Sequence, residues 1–378
     1  MSLTHVASIH IHEIHGQLVR PFVTAIRRAD QAELVIVELR DSEGRSGWGE
    51  APASWRVTGE SRESIRSVTE HVFAPLLTGM PTAAPQEISA ALRRAVAGNN
   101  AARSAVDCAA YDLAAQQAGV PLWRYLASGL PSAGAGTSGA EVPCVLTDMT
   151  LSATLDTDEY VRSALAHRDS GFRTLKLKVT GEADTVSQLE AIRAAVGEDI
   201  TLRVDANQAW DAEQAVSVIS GLASLDVQYV EQPTARDDPG ALVEVARRVQ
   251  VPVMADESVW TRRQLRELLA VGQTAYINIK LAKTGGLTEA LALARLAQSQ
   301  GIGVVVGCML ESHTGISAAA SLAAAMSAAA GSAGTDPFTH DLDGGLWFAE
   351  SPVLGGVRYE QSRLVLSQAP GLGISGLS

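Results

Sequence analysis

The sequence predicts an α/β protein, a closed parallel barrel joined to a smaller α+β domain. Between Lys176 and Lys280, short apolar runs end in charged residues: Thr174-Leu175-Lys176-Leu177-Lys178, Leu202-Arg203-Val204-Asp205, Gln228-Tyr229-Val230-Glu231, Val253-Met254-Ala255-Asp256 and Ile277-Asn278-Ile279-Lys280. The charged ends fall about 25 residues apart, the length of one strand, one helix and two loops. Strand alternation sends Lys176 and Lys178 to one face and Leu175 and Leu177 to the other. The same parity opposes Val204 to Asp205, Val230 to Glu231, Ala255 to Asp256 and Ile279 to Lys280. In a closed barrel the apolar set faces the helices, and the charged set points inward at the C-terminal rim, where barrel active sites lie.

The other elements follow in order. Residues Thr4 to Leu39 alternate and are rich in β-formers; with a turn at Asp41-Ser42-Glu43-Gly44 and a further segment at Gly47-Trp48-Gly49-Glu50 they read as an antiparallel meander. From Ser61 to Ala118 the period becomes helical, with Ile65, Val68, Val72 and Leu76, then Ala102, Ala105, Ala109 and Leu113, recurring on one face. Strands followed by helices describe an α+β unit distinct from the alternating part. Ser128–Ala140, rich in Gly, Ser and Ala, reads as a surface linker. Pro143-Cys144-Val145-Leu146 is expected to be the first barrel strand, Gly303–Gly307 the seventh, and a segment ending at His340-Asp341-Leu342-Asp343 the eighth. The expected organisation is 1–125 for the α+β domain, 126–350 for the barrel, and 351–378 for a tail that returns to pack on the first domain.

At 378 residues the chain is long enough for a barrel plus a second domain. The 46% hydrophobic and 19% charged content suits a soluble globular protein. A formal net charge of −12 without a basic block argues against nucleic acid or an anionic membrane as partner. The cysteines, Cys108, Cys144 and Cys308, are scattered, which favours reduced thiols and a cytoplasmic location. No signal peptide is expected. The Ala-rich run Ser317–Ala330 is too short and too weakly apolar for a membrane span and reads as a buried barrel helix.

Asp205, Glu231 and Asp256 would end three consecutive strands about 4.8 Å apart, close enough to converge on one ion. Any one of them could end its strand in solvent or cap a helix; three in matched register point to metal ligation. All-oxygen ligation favours Mg²⁺ over zinc. Lys178 and Lys280, on the second and sixth strands, would approach a central substrate from opposite sides. A lysine base must be neutral, and a neighbouring cation, Lys176 or the ion, lowers its pKa. A metal-bound carboxylate with an amine on each face specifies removal of the α-proton to an ene-diolate and reprotonation from the other side, which is epimerisation.

Lys176-x-Lys178, Asp205-x-Asn207, Glu231, Asp256 and Lys280 together resemble the enolase superfamily, in its muconate lactonizing subgroup, over nearly the whole chain. The resemblance implies a (β/α)7β barrel with a capping domain, Mg²⁺ on the three acids, Lys178 and Lys280 as the acid/base pair, and substrate selection by cap loops. The mandelate racemase branch carries a His on the seventh strand and an Asp on the sixth; here the sixth strand ends in Lys280, which argues against that branch, and His313 is expected to be a loop residue.

Asp341 and Asp343 share a face that would meet a ligand ammonium group, as in the dipeptide epimerases. Arg20-Pro21-Phe22-Val23-Thr24-Ala25-Ile26-Arg27 resembles the cap loop of L-Ala-D/L-Glu epimerases, which implies that Arg27 binds an acidic side chain, with adjacent Arg28 as the alternative. Val57-Thr58-Gly59-Glu60 resembles the second cap loop, and Cys308-Met309-Leu310-Glu311 the end of the seventh strand. Lys176 is expected at the substrate, with Asn207 and Glu311 supporting the site from behind. Lys283, Gly285 and Gly286 read as the loop after the sixth strand. The implied partners are a dipeptide substrate and further copies of the chain. The alternatives on one scaffold are an N-succinylamino-acid racemase, an o-succinylbenzoate synthase or a cycloisomerase. A non-catalytic binding barrel would have lost a ligand or a lysine, and none is missing.

Overall fold

In the computed structural model the described residues are 4–130, 144–182, 184–330 and 338–378. The chain opens with three antiparallel strands, β1 (Val6–Val23), β2 (Arg28–Asp41) and β3 (Ser46–Pro52), ordered β1-β2-β3. Helices α1 (Arg62–Val68), α2 (Ala74–Leu77), α3 (Pro85–Ala95), α4 (Asn100–Gln117) and α5 (Leu122–Ser128) follow. The Ala-rich helix α4 lies directly on β3. Gly47 and Gly49 make this approach possible, because a Cβ at either would come within 2.2 Å of Ala109 O or 1.9 Å of Ala105 O. The α4 N-terminus has no cap from its own Asn99 side chain. Glu60 supplies one instead, accepting from Ala101 N at 2.9 Å and Ala102 N at 3.0 Å, and so fixes the 54–60 turn against the helix.

The barrel is built on a seven-stranded parallel sheet. Its strands are β5 (Met149–Leu151), β6 (Thr174–Lys178), β7 (Thr201–Asp205), β8 (Val227–Glu231), β9 (Val253–Ala255), β10 (Tyr276–Lys280) and β11 (Gly303–Gly307). Between them run α6 (Thr157–Asp169), α7 (Thr185–Val196), α8 (Ala212–Gly221), α9 (Pro239–Arg248), α10 (Arg262–Val271), the one-turn α11 (Leu281–Thr284) and α12 (Leu287–Ser299). The side chains of Asp156, Asp184, Asp211, Asp238 and Thr261 cap the helices from α6 to α10, satisfying orphan N–H groups at the same point of each unit. Leu175, Leu177, Val204, Val230, Ala255 and Ile279 are fully buried on the side facing these helices.

Two expected strands differ from the structure. Val145–Leu146 (β4) is not the first barrel strand; it pairs antiparallel with β14 (Arg363–Val365) of the C-terminal tail, and Pro143 lies outside the described residues. The barrel starts three residues later, with Met149–Leu151 paired to β6. Among the described residues the eighth strand is reduced to two bridges, Thr147 to His340 and Gly307 to Asp341, which close the ring. A strand too short to show periodicity leaves no pattern to read. Most of the predicted linker, from residue 131, also lies outside the described residues.

The tail carries β12 (Val353–Gly355), β13 (Arg358–Glu360), β14 and β15 (Ile374–Leu377). It reaches back to the helices of the N-terminal part, with Leu122 N donating to Gly371 O at 2.8 Å and Leu372 N to Asp112 Oδ1 at 2.7 Å. The Ala-rich run forms helix α13 (His313–Ala329), buried on nearly every side. Among the described residues no helix is long and apolar enough to cross a membrane.

Candidate active site

Parallel pairing sets the charged strand ends side by side. Lys178 is in register with Asp205, and Asp205 with Glu231. Asp256 follows β9 directly, and Lys280 ends β10, three strands from β7. All five are buried and point into the ring. The backbone at the ends of β7 and β8 takes positive φ at Asn207 (43°), Gln208 (69°) and Gln232 (37°), a conformation uncommon outside glycine and often stored at functional sites.

The acids and amines are interleaved. Lys178 Nζ lies 2.5 Å from Asp205 Oδ2. Lys176 Nζ sits among Asp205 (3.1 Å), Glu231 (2.6 Å) and Asp341 (2.8 Å). Lys280 Nζ is 3.2 Å from Asp256 Oδ2, 3.8 Å from Glu231 and 3.9 Å from Asp341. Burial pulls the Lys176 amine down, but Asp341, Glu231 and Asp205 outweigh it and hold the group well above the usual lysine range. Lys280 is likewise raised: burial and Lys176 oppose its charge, and Glu231, Asp341 and Asp205 prevail. Glu231 responds in reverse, since burial raises it but Lys176 and Lys280 bring it to about 2.

Three acids with oxygens all within 4.8 Å of one another occur once among the described residues, and they are Asp148, Asp341 and Asp343. Asp205, Glu231 and Asp256 are spread wider, with ammonium groups set between them. Asp148 is paired to Arg203, whose Nη1 donates to Oδ2 at 2.7 Å while Oδ1 accepts no hydrogen bond; Arg203 also donates to Gln228 Oε1 and Thr339 O. The wider trio still fits a hard cation. Its donors are all oxygens, and Glu231 Oε2 and Asp256 Oδ1 accept no hydrogen bond, although Lys176 and Lys283 lie against them. Asn207 Oδ1 and Glu257 Oε2, buried beside them, also accept none.

A cavity of about 50 Å³ lies above this cluster, small beside the roughly 300–1,000 Å³ of ordinary ligand pockets. Lys178, Lys280, Asp256, Asp341, Asp343 and Asn207 line its floor, and Phe22, Ile26, Arg27 and Val57 cover it. Lys176 does not line it and reaches the cavity only through the carboxylates it holds. Asp341 Oδ2 accepts from Lys176 Nζ and Asn278 Nδ2 (3.2 Å), and Asp343 Oδ2 from Thr150 N (2.8 Å) and Trp347 Nε1 (3.0 Å). No described residue donates to Oδ1 of either acid.

The cover is fixed by its own hydrogen bonds. Thr24 N donates to Arg27 O at 2.9 Å, and Thr24 Oγ1 accepts from Arg27 N at 3.3 Å, which holds a tight turn. Ser152 ties that turn to the barrel, accepting from Val23 N and donating to Pro21 O. Arg27 Nη1 donates to Ser54 Oγ at 3.1 Å, and no carboxylate among the described residues pairs with it. Arg28 points away, exposed and paired with Asp30 at 2.9 Å. Glu311 is buried behind Met309, accepting from its N–H at 2.9 Å. Burial, then the charge of Glu50, pushes Glu311 up to about 8.

His313 is not a loop residue; it is the first residue of α13 and packs edge-on against Tyr359, outside the cavity. Lys283, expected in a loop, sits on α11 with its ammonium on Asp256: it donates to Asp256 O at 3.0 Å and contacts the carboxylate. Burial pushes its amine down to about 7. Asn278 donates to Glu231 Oε1 at 2.9 Å, and its parity with Lys280 could have marked it. Nothing in the local sequence pattern marks Glu257 or Trp347.

Two family models match the chain: "Mandelate racemase / muconate lactonizing enzyme, N-terminal domain" over residues 8–127 and "Enolase C-terminal domain-like" over 159–376. The chain is 36% identical to an L-Ala-D/L-Glu epimerase of Bacillus subtilis over 97% of this chain and 96% of the relative. A substrate-liganded complex of the epimerase from that organism superposes with a TM-score of 0.89 at 35% identity, covering 99% of both chains. A hydrophobic dipeptide epimerase of Enterococcus faecalis is 35% identical over 98% of this chain and 99% of the relative. A dipeptide epimerase structure from the same organism, with Mg and L-Leu-L-Tyr, gives a TM-score of 0.88 at 35% identity, covering 98% of this chain and 99% of that one. An N-succinyl-L-Arg/Lys racemase of Bacillus cereus is 28% identical over 98% of this chain and 95% of its own length.

Proposed function

The chain belongs to the mandelate racemase/muconate lactonizing enzyme family of the enolase superfamily, and on that premise we propose that it is a Mg²⁺-dependent dipeptide epimerase that inverts the α-carbon of the C-terminal residue. The observation that carries the reading is one cavity lined by two amines from separated strands, Lys178 and Lys280, together with two acids, Asp341 and Asp343.

In this reading Asp205, Glu231 and Asp256 hold the ion, which when bound supplies positive charge to the substrate carboxylate and counters the carboxylates that hold the lysines charged. Asp341 and Asp343 take the dipeptide ammonium, which orients the second residue between the lysines. One lysine, neutral, removes the α-proton from one face. The other, charged, returns a proton to the opposite face, and the configuration inverts. Burial keeps water from exchanging with the planar carbanion before the second lysine acts. Asn207 steadies Asp205, donating its N–H to Oδ1, and is itself held by Glu257. Arg27, a cation with no carboxylate partner among the described residues, supports an acidic side chain on the inverted residue, so L-Ala-D/L-Glu is the leading substrate.

The test is α-proton exchange in ²H₂O across an L,L-dipeptide panel with Mg²⁺. Exchange is expected, fastest for Glu or Asp at the second position. No exchange with any dipeptide, or faster turnover of N-succinylamino acids, would overturn the substrate class.

A further inference from the structure

Asp343 is held by a residue that also carries the cap. Trp347 Nε1 donates to Asp343 Oδ2 at 3.0 Å, and with Thr150 N it occupies that oxygen. The indole is gripped in turn by the end of β1. The Arg20 guanidinium lies over its ring at 4.6 Å, and the Phe22 ring meets it edge-on at 4.8 Å. Arg20 is anchored to the barrel by His167 Nε2 at 2.8 Å. Burial, then Arg20 itself, pushes His167 down to about 4, so it stays neutral and accepts that bond. Phe22 and Trp347 both line the cavity beside Asp343.

From this arrangement we infer that Trp347 is a positioning residue that fixes which oxygen of Asp343 meets the ligand ammonium, and that β1 sets the subsite through it. Two hydrogen bonds from fixed donors on Oδ2 restrain the carboxylate and leave Oδ1 for the ammonium. Without the indole N–H, only Thr150 N holds Oδ2, so the carboxylate is less restrained and loses a donor that stabilises its charge. The inference rests on the dipeptide reading above.

The experiment compares, by calorimetric titration with Mg²⁺ present, a dipeptide and its desamino analogue, in which hydrogen replaces the ammonium. Trp347→Phe keeps a ring and removes the donor. The wild-type preference for the dipeptide is expected to shrink about tenfold in W347F, the size of one hydrogen bond to a charged group, while affinity for the desamino compound changes less than about twofold. An unchanged preference ratio in folded W347F would overturn the inference. If W347F does not fold, Arg20→Leu, which frees the ring face and leaves the indole N–H, is expected to reduce the same ratio about threefold, and an unchanged ratio there overturns it equally. Wild-type protein that exchanges no dipeptide α-proton would instead defeat the underlying reading.

Discussion

The floor and the cover of the cavity are built differently. The floor is made of strand ends: Lys178, Asp205, Glu231 and Lys280 each close a strand, and backbone pairing with the neighbours fixes their depth and direction. The cover is made of turns, with Ile26 and Arg27 between β1 and β2 and Val57 in the 54–60 turn. A strand end cannot move without breaking the barrel; a turn can change length or side chain at small cost. On the proposed function, chemistry belongs on the first and selection on the second. Relatives named for acidic dipeptides, hydrophobic dipeptides and N-succinyl amino acids all align along nearly the whole chain.

The sharpest way to break the comparison is at the floor. Lys178→Ala and Lys280→Ala are each expected to lower epimerisation by about 10²–10⁴-fold, and to do so asymmetrically. Each variant should still exchange the α-proton of one diastereomer and lose it for the other, read by NMR in ²H₂O. Equal, wild-type-like exchange from both would remove their assignment. Glu231→Gln is expected to weaken Mg²⁺ binding by about 100-fold by calorimetry, because a charged ligand is lost and Lys176 keeps only Asp205 and Asp341 to offset its charge.

The cover should respond selectively. Arg27→Met is expected to lower kcat/KM for dipeptides ending in Glu by about 10–100-fold and for those ending in Leu by no more than about twofold. Arg28→Ala, which removes only an exposed pair with Asp30, is expected to change either by less than about twofold. Similar losses on both substrates in R27M would mean that Arg27 supports the loop rather than reading the side chain.

The smallest effect lies at the seam between floor and cover. Glu50 of β3 accepts from Ser312 N at 2.8 Å and contacts the Ser312 hydroxyl at the start of α13, so the capping sheet caps a barrel helix. Burial raises Glu50 to about 7, and burial with Glu50 raises Glu311 to about 8. The unfolded chain releases these protons near pH 4.5, and the folded protein keeps them to about pH 7–8. Within that window the folded state holds more protons, so stability is greatest at the acid end and declines as pH rises. Melting temperature is expected to fall between pH 5 and 8, and Glu311→Gln to flatten part of the fall; an identical slope in E311Q would show that Glu311 does not titrate there.

The sequence by itself determined the barrel, its period and the inward parity of Lys176, Lys178, Asp205, Glu231, Asp256 and Lys280, because a strand's two faces and a repeated unit both leave a one-dimensional trace. It also carried the turn bearing Arg27, through a resemblance of residues. Only the tertiary structure decided that Lys176 stands behind the cavity, that Lys283 grips Asp256, that the first strand begins at Met149 and that the eighth shrinks to His340 and Asp341. Those outcomes depend on which distant groups compete for each buried charge and on how the ring closes. Spacing along a chain encodes which face a side chain takes, but not which partner it finds there.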